Sequence, residues 1–233
     1  MTDQSATPTL SVPANHSIPV WDLPTRLFHW VLVIAVCVLF YTGLQGKLDL
    51  HMKFGQFVLG LLLFRLIWGF IGNRQARFSD FIAGPAAAIA YLRGLFGKGG
   101  PKYLGHNPVG GYAVLLMLAL LLVQASTGLF ASDDIATDGP LYSKVSSSLS
   151  ARLSTLHRLG FDALLVIILI HLASNAFYLL VKRENLITPM VTGNKTVSGG
   201  ASAPVQGAGP VAALVIFVVC EAVVFGGIAW LAK

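Results

Sequence analysis

TLHRLGFDALLVIILIHLAS, residues 155–174, is a continuous apolar run that carries two histidines, His157 and His171. Fourteen residues separate them. On an α-helix, with about 100° and 1.5 Å per residue, fourteen steps return to nearly the same face and rise about 21 Å. The run is long enough to cross a hydrocarbon layer of about 30 Å. It would then hold two imidazoles on one face at two depths. An ionisable side chain at membrane depth is costly and points to function.

The rest of the chain agrees with a membrane setting. Of 233 residues, 55% are hydrophobic and 11% are charged, where a soluble domain carries about a quarter charged residues. The mean hydropathy is +0.72. Five spans can be drawn, at 26–46, 51–72, 108–131, 152–181 and 210–231. Each is a continuous apolar run rather than the short alternating strand of a barrel. The fold class is therefore an all-α integral membrane protein: a four-helix transmembrane bundle plus a fifth C-terminal transmembrane helix. The net charge of +6 reads as membrane topology, and no nucleic acid is expected as a partner. Cys37 and Cys220 lie deep in apolar runs without a CxxC or CxxCH pattern, so covalent haem attachment and zinc ribbons are unsupported.

The loops set the expected orientation. Residues 73–107 hold Arg74, Arg77, Arg93, Lys98 and Lys102 against Asp80 alone, and Lys182, Arg183 and Lys195 follow the fourth span. The 132–151 loop carries Asp133, Asp134 and Asp138 with only Lys144. The positive-inside rule then puts the N-terminus and the basic loop in the cytoplasm, and the acidic loop and the C-terminus outside. Lys47 and Lys53 in the first external turn run against this bias. The first twenty residues lack an apolar h-region, so the first span is read as an uncleaved anchor. Residues 85–97 are too short to span and suit an interfacial helix. Four regions follow: a polar tail over 1–19, the bundle over 20–193, a flexible linker over 194–209 and the last helix over 210–233. The Gly- and Ser-rich linker implies that the fifth helix is loosely tied.

Depth assigns partners to the two histidines. The first span starts inside with His29 in its first turn, level with His171. The second starts outside with His51, level with His157. Two imidazole pairs at two depths meet what two stacked bis-histidine haems require, held in the core of a four-helix bundle. A zinc site would cluster three or four ligands at one depth instead. Arg65, fourteen residues after His51, shares its face at the inner depth and is a candidate for an inner haem propionate; Arg152 and Arg158 are candidates at the outer face. Gly43, Gly55, Gly60, Gly69 and Gly128 permit close approach of a porphyrin or of another helix. Glu221, in the fifth span, is a proton-handling group, an interhelical hydrogen bond or a subunit contact, so a second copy of the chain is a further candidate partner. His106 lies in the inner loop. A pocket lined by His106, Arg65 and residues 74–81 is one place for a quinone.

With these residues placed, several stretches resemble the bacterial cytochrome b561 family, which includes the b-type cytochrome subunits of nickel–iron hydrogenases. They are VWDLPTRLFHW (20–30), FRLIWGFIGNRQARFSDF (64–81), YLGHNP (103–108) and KRENLITPMVTG (182–193). The resemblance covers residues 18–193. It implies two b-type haems, with ligands at His29, His51, His157 and His171. It further implies a bacterial inner-membrane protein that passes electrons between the quinone pool and a periplasmic redox partner, either a c-type cytochrome or an oxidoreductase subunit. Some members resemble superoxide oxidases, so a superoxide:quinone oxidoreductase is an alternative. The acidic outer loop speaks against it, because it repels superoxide and suits a basic protein. A haem-free transporter or anchor with histidine proton relays is the other alternative. An electron-transfer cytochrome is the reading that the resemblance favours, with quinone oxidoreductase activity left open.

Overall fold

A computed structural model of the chain describes residues 15–95, 103–198 and 207–233. Five helices are long and apolar enough to cross a membrane: α1 (Leu23–Leu44), α2 (Leu48–Ile71), α5 (Pro108–Gly128), α6 (Ser147–Leu180) and α8 (Pro210–Leu231). Three short helices lie between them: α3 (Phe78–Phe81), α4 (Pro85–Gly94) and α7 (Ile187–Thr192). The first, second and fourth spans start three, three and five residues earlier than hydropathy places them. For the first and fourth the reason is capping by polar residues that lie outside the apolar runs, whereas the second starts after Lys47 without a side-chain cap. Asp22 accepts a hydrogen bond from the Thr25 N–H at 2.9 Å, and Ser146 accepts one from Leu149 N–H at 3.3 Å. Asn107 does the same for α5, accepting from Gly110 N–H at 2.7 Å ahead of Pro108. Each cap satisfies a helix N–H that would otherwise lack a partner.

Helix α2 is the hub. It packs against α1, α5 and α8, and Val58, Leu61, Leu62, Phe64 and Trp68 on it are buried. Helix α6 packs chiefly on α5 and buries only Ser150, Ser154 and Leu164 along its 34 residues. The bundle is thus tight around α2 and open beside α6. The end where α1 starts, here the near end, also holds the 72–84 segment, α7 and the start of α8. The far end holds the Gln45–Lys47 turn, with Gly46 at φ +65°, and the 129–146 loop.

Two expectations about the tail and linker are corrected. Residues 15–19, placed in the polar tail, form β1 (Asn15–Pro19), and residues 194–198, placed in the linker, form β2 (Asn194–Ser198). The strands pair antiparallel, Asn15 with Ser198 through Pro19 with Asn194. Residues 199–206 of the expected linker, and Lys98 and Lys102 of the basic loop, lie outside the described residues. The fifth helix is not loosely tied. Ala213, Cys220, Val224 and Ile228 are buried, Phe217 meets Phe57 and Phe64 of α2 edge-on, and Ala208 N–H donates to Ile71 O at 3.1 Å. An apolar helix beside an apolar groove binds by side-chain packing, whatever the composition of its leash.

The α2–α8 contact is closest at Gly60, where an added Cβ would sit 2.5 Å from the Glu221 carboxylate. Gly60→Leu should therefore lower stability by roughly 1–3 kcal/mol in unfolding measured in detergent. Gly226→Ala, on the facing helix α8 with nothing within 4 Å of an added Cβ, should be neutral or slightly stabilising.

Candidate functional site

The structure brings His51 and His157 together at the far end. Their ring centres are 6.1 Å apart and their planes nearly perpendicular, at 85°. Each ring is tied by Nδ1 to a backbone carbonyl of the helix it faces. His51 Nδ1 lies 3.0 Å from Leu39 O on α1, and His157 Nδ1 lies 2.9 Å from Gln124 O on α5. A carbonyl only accepts, so both rings carry the proton on Nδ1 and present an Nε2 lone pair. The two rings line a cavity of about 550 Å³ together with Gly43, Gly55, Gln124 and Gly128. Its outer rim includes Ser132, Asp133, Thr137 and Gly139 of the 129–146 loop. A Cβ on Gly43 would come within 3.2 Å of the His51 ring, and one on Gly128 within 2.9 Å of His157 Cε1. Of the five glycines singled out in the sequence, Gly43, Gly55 and Gly128 thus open this cavity, whereas Gly60 meets Glu221 and Gly69 meets Phe78.

His29 on α1 and His171 on α6 lie within electrostatic reach of each other at the near end. Their hydrogen bonding differs from the far pair. His29 Nδ1 is buried without a partner among the described residues. His171 Nε2 lies 3.3 Å from Asn175 Nδ2, one turn on. Other buried polar atoms of the near end share this condition: Thr25 Oγ1, Arg26 Nε, Arg65 Nη1, Gln75 Oε1 and His106 Nδ1. Arg65 is 3% exposed. Its Nη2 donates to Ala76 O at 3.2 Å, and its guanidinium sits 5.0 Å from the Phe78 ring centre. Arg26, three residues before His29 and so on its face, was not singled out in the sequence, although the i, i+3 spacing is visible there. Its Nη1 donates to Val191 O at 2.5 Å. At the far end Arg158 lines the cavity and donates to Thr155 Oγ1 at 3.2 Å. Arg152 is exposed and outside the lining.

The pocket expected among His106, Arg65 and residues 74–81 is corrected. Phe78 and Phe81 fill that space with their rings. His106 is held between Phe81 and Trp21, with ring centres 4.7 and 4.9 Å away. The cavity lies on the other side of His106. It measures about 560 Å³ and is lined by Tyr91, Tyr103, Asn107, His171, Asn175 and Tyr178, among mostly apolar neighbours. The Tyr91 and Tyr178 hydroxyls hydrogen-bond each other, and Asn107 Nδ2 donates to the Tyr178 hydroxyl Oη at 3.1 Å. Burial first, then Tyr178, pushes the Tyr91 phenol above its ordinary range, so it stays protonated. Lys195 Nζ closes the cavity mouth with a 2.7 Å ion pair to Glu184. No tyrosine was singled out in the sequence, because α4 and α6 are brought together only by the fold.

The model of the prokaryotic cytochrome b561 family matches residues 20–193. The chain belongs to that family. The cytochrome is similar to the probable Ni/Fe-hydrogenase B-type cytochrome subunit of Rhodobacter capsulatus, 27% identical over 222 residues that cover 80% of this chain and 84% of the relative. The protein of the same description from Rhizobium leguminosarum bv. viciae is 26% identical over 217 residues, 78% of this chain and 90% of its own. The corresponding hydrogenase 1 subunit of Escherichia coli K12 is 23% identical over 137 residues, 47% and 57%. No solved structure matches the chain. The cytochrome is a multi-pass membrane b-type cytochrome whose cofactor is haem b, and a haem-free transporter or anchor is set aside.

Burial, with the Arg65 and His171 charges adding to it, pushes the His106 imidazole down to about 4. In the unfolded chain it would titrate near 6.5. Between those values the unfolded chain binds the extra proton, so this contribution to stability is full above about pH 6.5 and falls on acidification. His106→Phe should therefore show a smaller drop in melting temperature between about pH 7 and pH 5 than the wild type.

Proposed function

We propose that the cytochrome binds two b-type haems, the far one between His51 and His157 and the near one between His29 and His171. It would carry electrons across the bacterial inner membrane between the quinone pool and a periplasmic redox protein. The observation that carries this reading is the far pair. Two metal–imidazole bonds of about 2 Å each, with the reach of the two rings, separate ring centres by roughly 6 Å, and the pair stands at 6.1 Å. Neither Nε2 has a hydrogen-bond partner among the described residues, as an iron requires, and the three glycines leave the cavity open. Haem, when bound, supplies a reversible one-electron iron couple.

The near pair is supported by its surroundings. Arg26 and Thr25, one turn before His29, and Arg65 on α2 each keep a buried polar atom without a partner among the described residues, which suits the carboxylates of a haem edge. Arg158 takes that part at the far cavity, and Arg152 is left to the exposed rim. The fourteen residues between His157 and His171 set the two sites about 21 Å apart along α6. The task of the chain is to fix these positions and to keep water from them.

The cavity beside His171 suits a quinone headgroup. It is largely apolar, with hydroxyl and amide groups converging from Tyr91, Tyr178, Asn107 and Asn175, the pattern of a site for a ring with opposed oxygens. With the basic loops in the cytoplasm, this cavity lies on the inner side and the acidic 132–146 loop on the outer side. Three backbone N–H groups, from Thr137, Ile135 and Ala136, hold Asp133 down to about 2. The loop is therefore a standing negative rim for a partner's positive patch. The relatives described as hydrogenase cytochrome subunits support an oxidoreductase subunit as that partner.

Purified protein should contain two haems per chain by haemochrome assay and show b-type bands in the reduced-minus-oxidised spectrum. His51→Ala and His157→Ala should each lose the same haem, whereas His29→Ala and His171→Ala should both lose the other. One haem per chain, or loss of a common haem in His157→Ala and His171→Ala, would overturn the pairing.

A further inference from the structure

The two carbonyls that receive the far histidines belong to matching stretches, VLFYTG (38–43) at the end of α1 and VQASTG (123–128) at the end of α5. In each, the residue after Val supplies the carbonyl: Leu39 in the first and Gln124 in the second. Three residues on, a threonine sits beside the same imidazole nitrogen. Thr42 Oγ1 lies 3.4 Å from His51 Nδ1, and Thr127 Oγ1 lies 3.4 Å from His157 Nδ1. The next residue is the glycine that makes room for the ring. The two threonines also share one internal bond: Thr42 donates to Val38 O at 2.7 Å, and Thr127 donates to Val123 O at 2.7 Å.

We infer that Thr42–Gly43 and Thr127–Gly128 are twin positioning elements that lock the two far histidines as haem ligands. The inference rests on the reading of His51 and His157 as ligands. Each threonine hydroxyl has its proton committed to a helix carbonyl, so its remaining lone pairs face the ring. The ring nitrogen meets a hydroxyl oxygen and a carbonyl oxygen, two acceptors and no available donor. Only the Nδ1–H form satisfies it, and Nε2 is fixed as the iron-facing atom. A helix carbonyl has a second lone pair to give without breaking its helix. The glycine removes the one side chain that would hold the ring off. Both helices run toward the far end, so the device is built twice, once in each helical hairpin. The loop that follows differs in length, eight residues from Gly43 to His51 and twenty-nine from Gly128 to His157.

The near site has no copy of the device. His29 Nδ1 has no partner among the described residues, and His171 is met by an asparagine of its own helix. A ring N–H that donates to a carbonyl makes its imidazole a more basic ligand. The twin elements therefore favour ferric iron at the far site and set it below the near site in potential.

The test uses the full-length protein with both haems. Thr42→Val and Thr127→Val keep the shape and remove the hydroxyl. Each should raise the midpoint potential of the far haem in a redox titration, alter its low-spin ferric resonance, and leave the near haem unmoved. Thr42→Ser and Thr127→Ser should return both readings to wild type. Loss of the far haem in the valine variants with its return in the serine variants would equally support the inference. Gly128→Leu should lose the far haem alone. Valine variants that match the wild type in potential and resonance, or that move both haems together, would overturn it. His51→Ala and His157→Ala separate the two claims. If they lose the far haem while the valine variants change nothing, the positioning role fails and the ligand assignment stands. If they keep both haems, the ligand assignment itself fails.

Discussion

An imidazole placed away from water must satisfy both of its ring nitrogens, and that requirement organises the far half of this molecule. In the proposed reading one nitrogen is kept for the cofactor. The other needs an acceptor at membrane depth, where water is absent and every backbone carbonyl is already engaged in a helix. The available solution is the second lone pair of a helix carbonyl, approached from the side. Such an approach needs a gap in the side-chain cover, which glycine leaves. It also needs a neighbouring helix ending at the same level, which fixes the heights of α1 and α5 against His51 and His157. Much of the bundle geometry follows from two hydrogen bonds of 3.0 and 2.9 Å.

The division of labour among the helices follows from the same need. Helix α2 supplies one histidine and the buried apolar surface that holds the others, including α8, in place. Helix α6 supplies two histidines and leans on α5, with few of its residues buried. Its His157–His171 face lines the cavities, which require a wall that stands off from α1 and α2, whereas Leu159, Val166, Leu169 and Leu172 are exposed outside both linings. A helix that lines cavities at two depths cannot also interdigitate with the helices opposite, because the space between them is left open.

The fold was largely legible in the sequence, because long apolar runs admit few alternatives once water is gone. The histidine pairing was legible for a related reason, since a rigid helix converts residue number into depth. The limits are equally physical. The starts of α1 and α6 were misplaced because Asp22 and Ser146 act through single capping bonds that hydropathy does not register. The tightness of α8 was missed because a leash composition says nothing about the groove at its end. The near cavity was put on the wrong side of His106, since only the fold shows Phe78 and Phe81 occupying the other side. Arg26 and the repeated V-x-x-x-T-G stretches were visible as strings, yet their meaning needed the facing ring to be in view.

One further feature concerns where the unit begins and ends. Val20 N–H and Trp21 N–H both donate to Gly193 O, at 2.8 and 3.0 Å, and β1 and β2 zip together just beyond. The family match starts at residue 20 and stops at residue 193. The first and last residues of the matched body are thus fastened to each other, so the body is a closed ring in all but covalent connection. A load applied ahead of β1 meets this clasp before it reaches α1. Helix α8, which follows β2 outside the family match, is held by its own packing on α2 and not by the clasp.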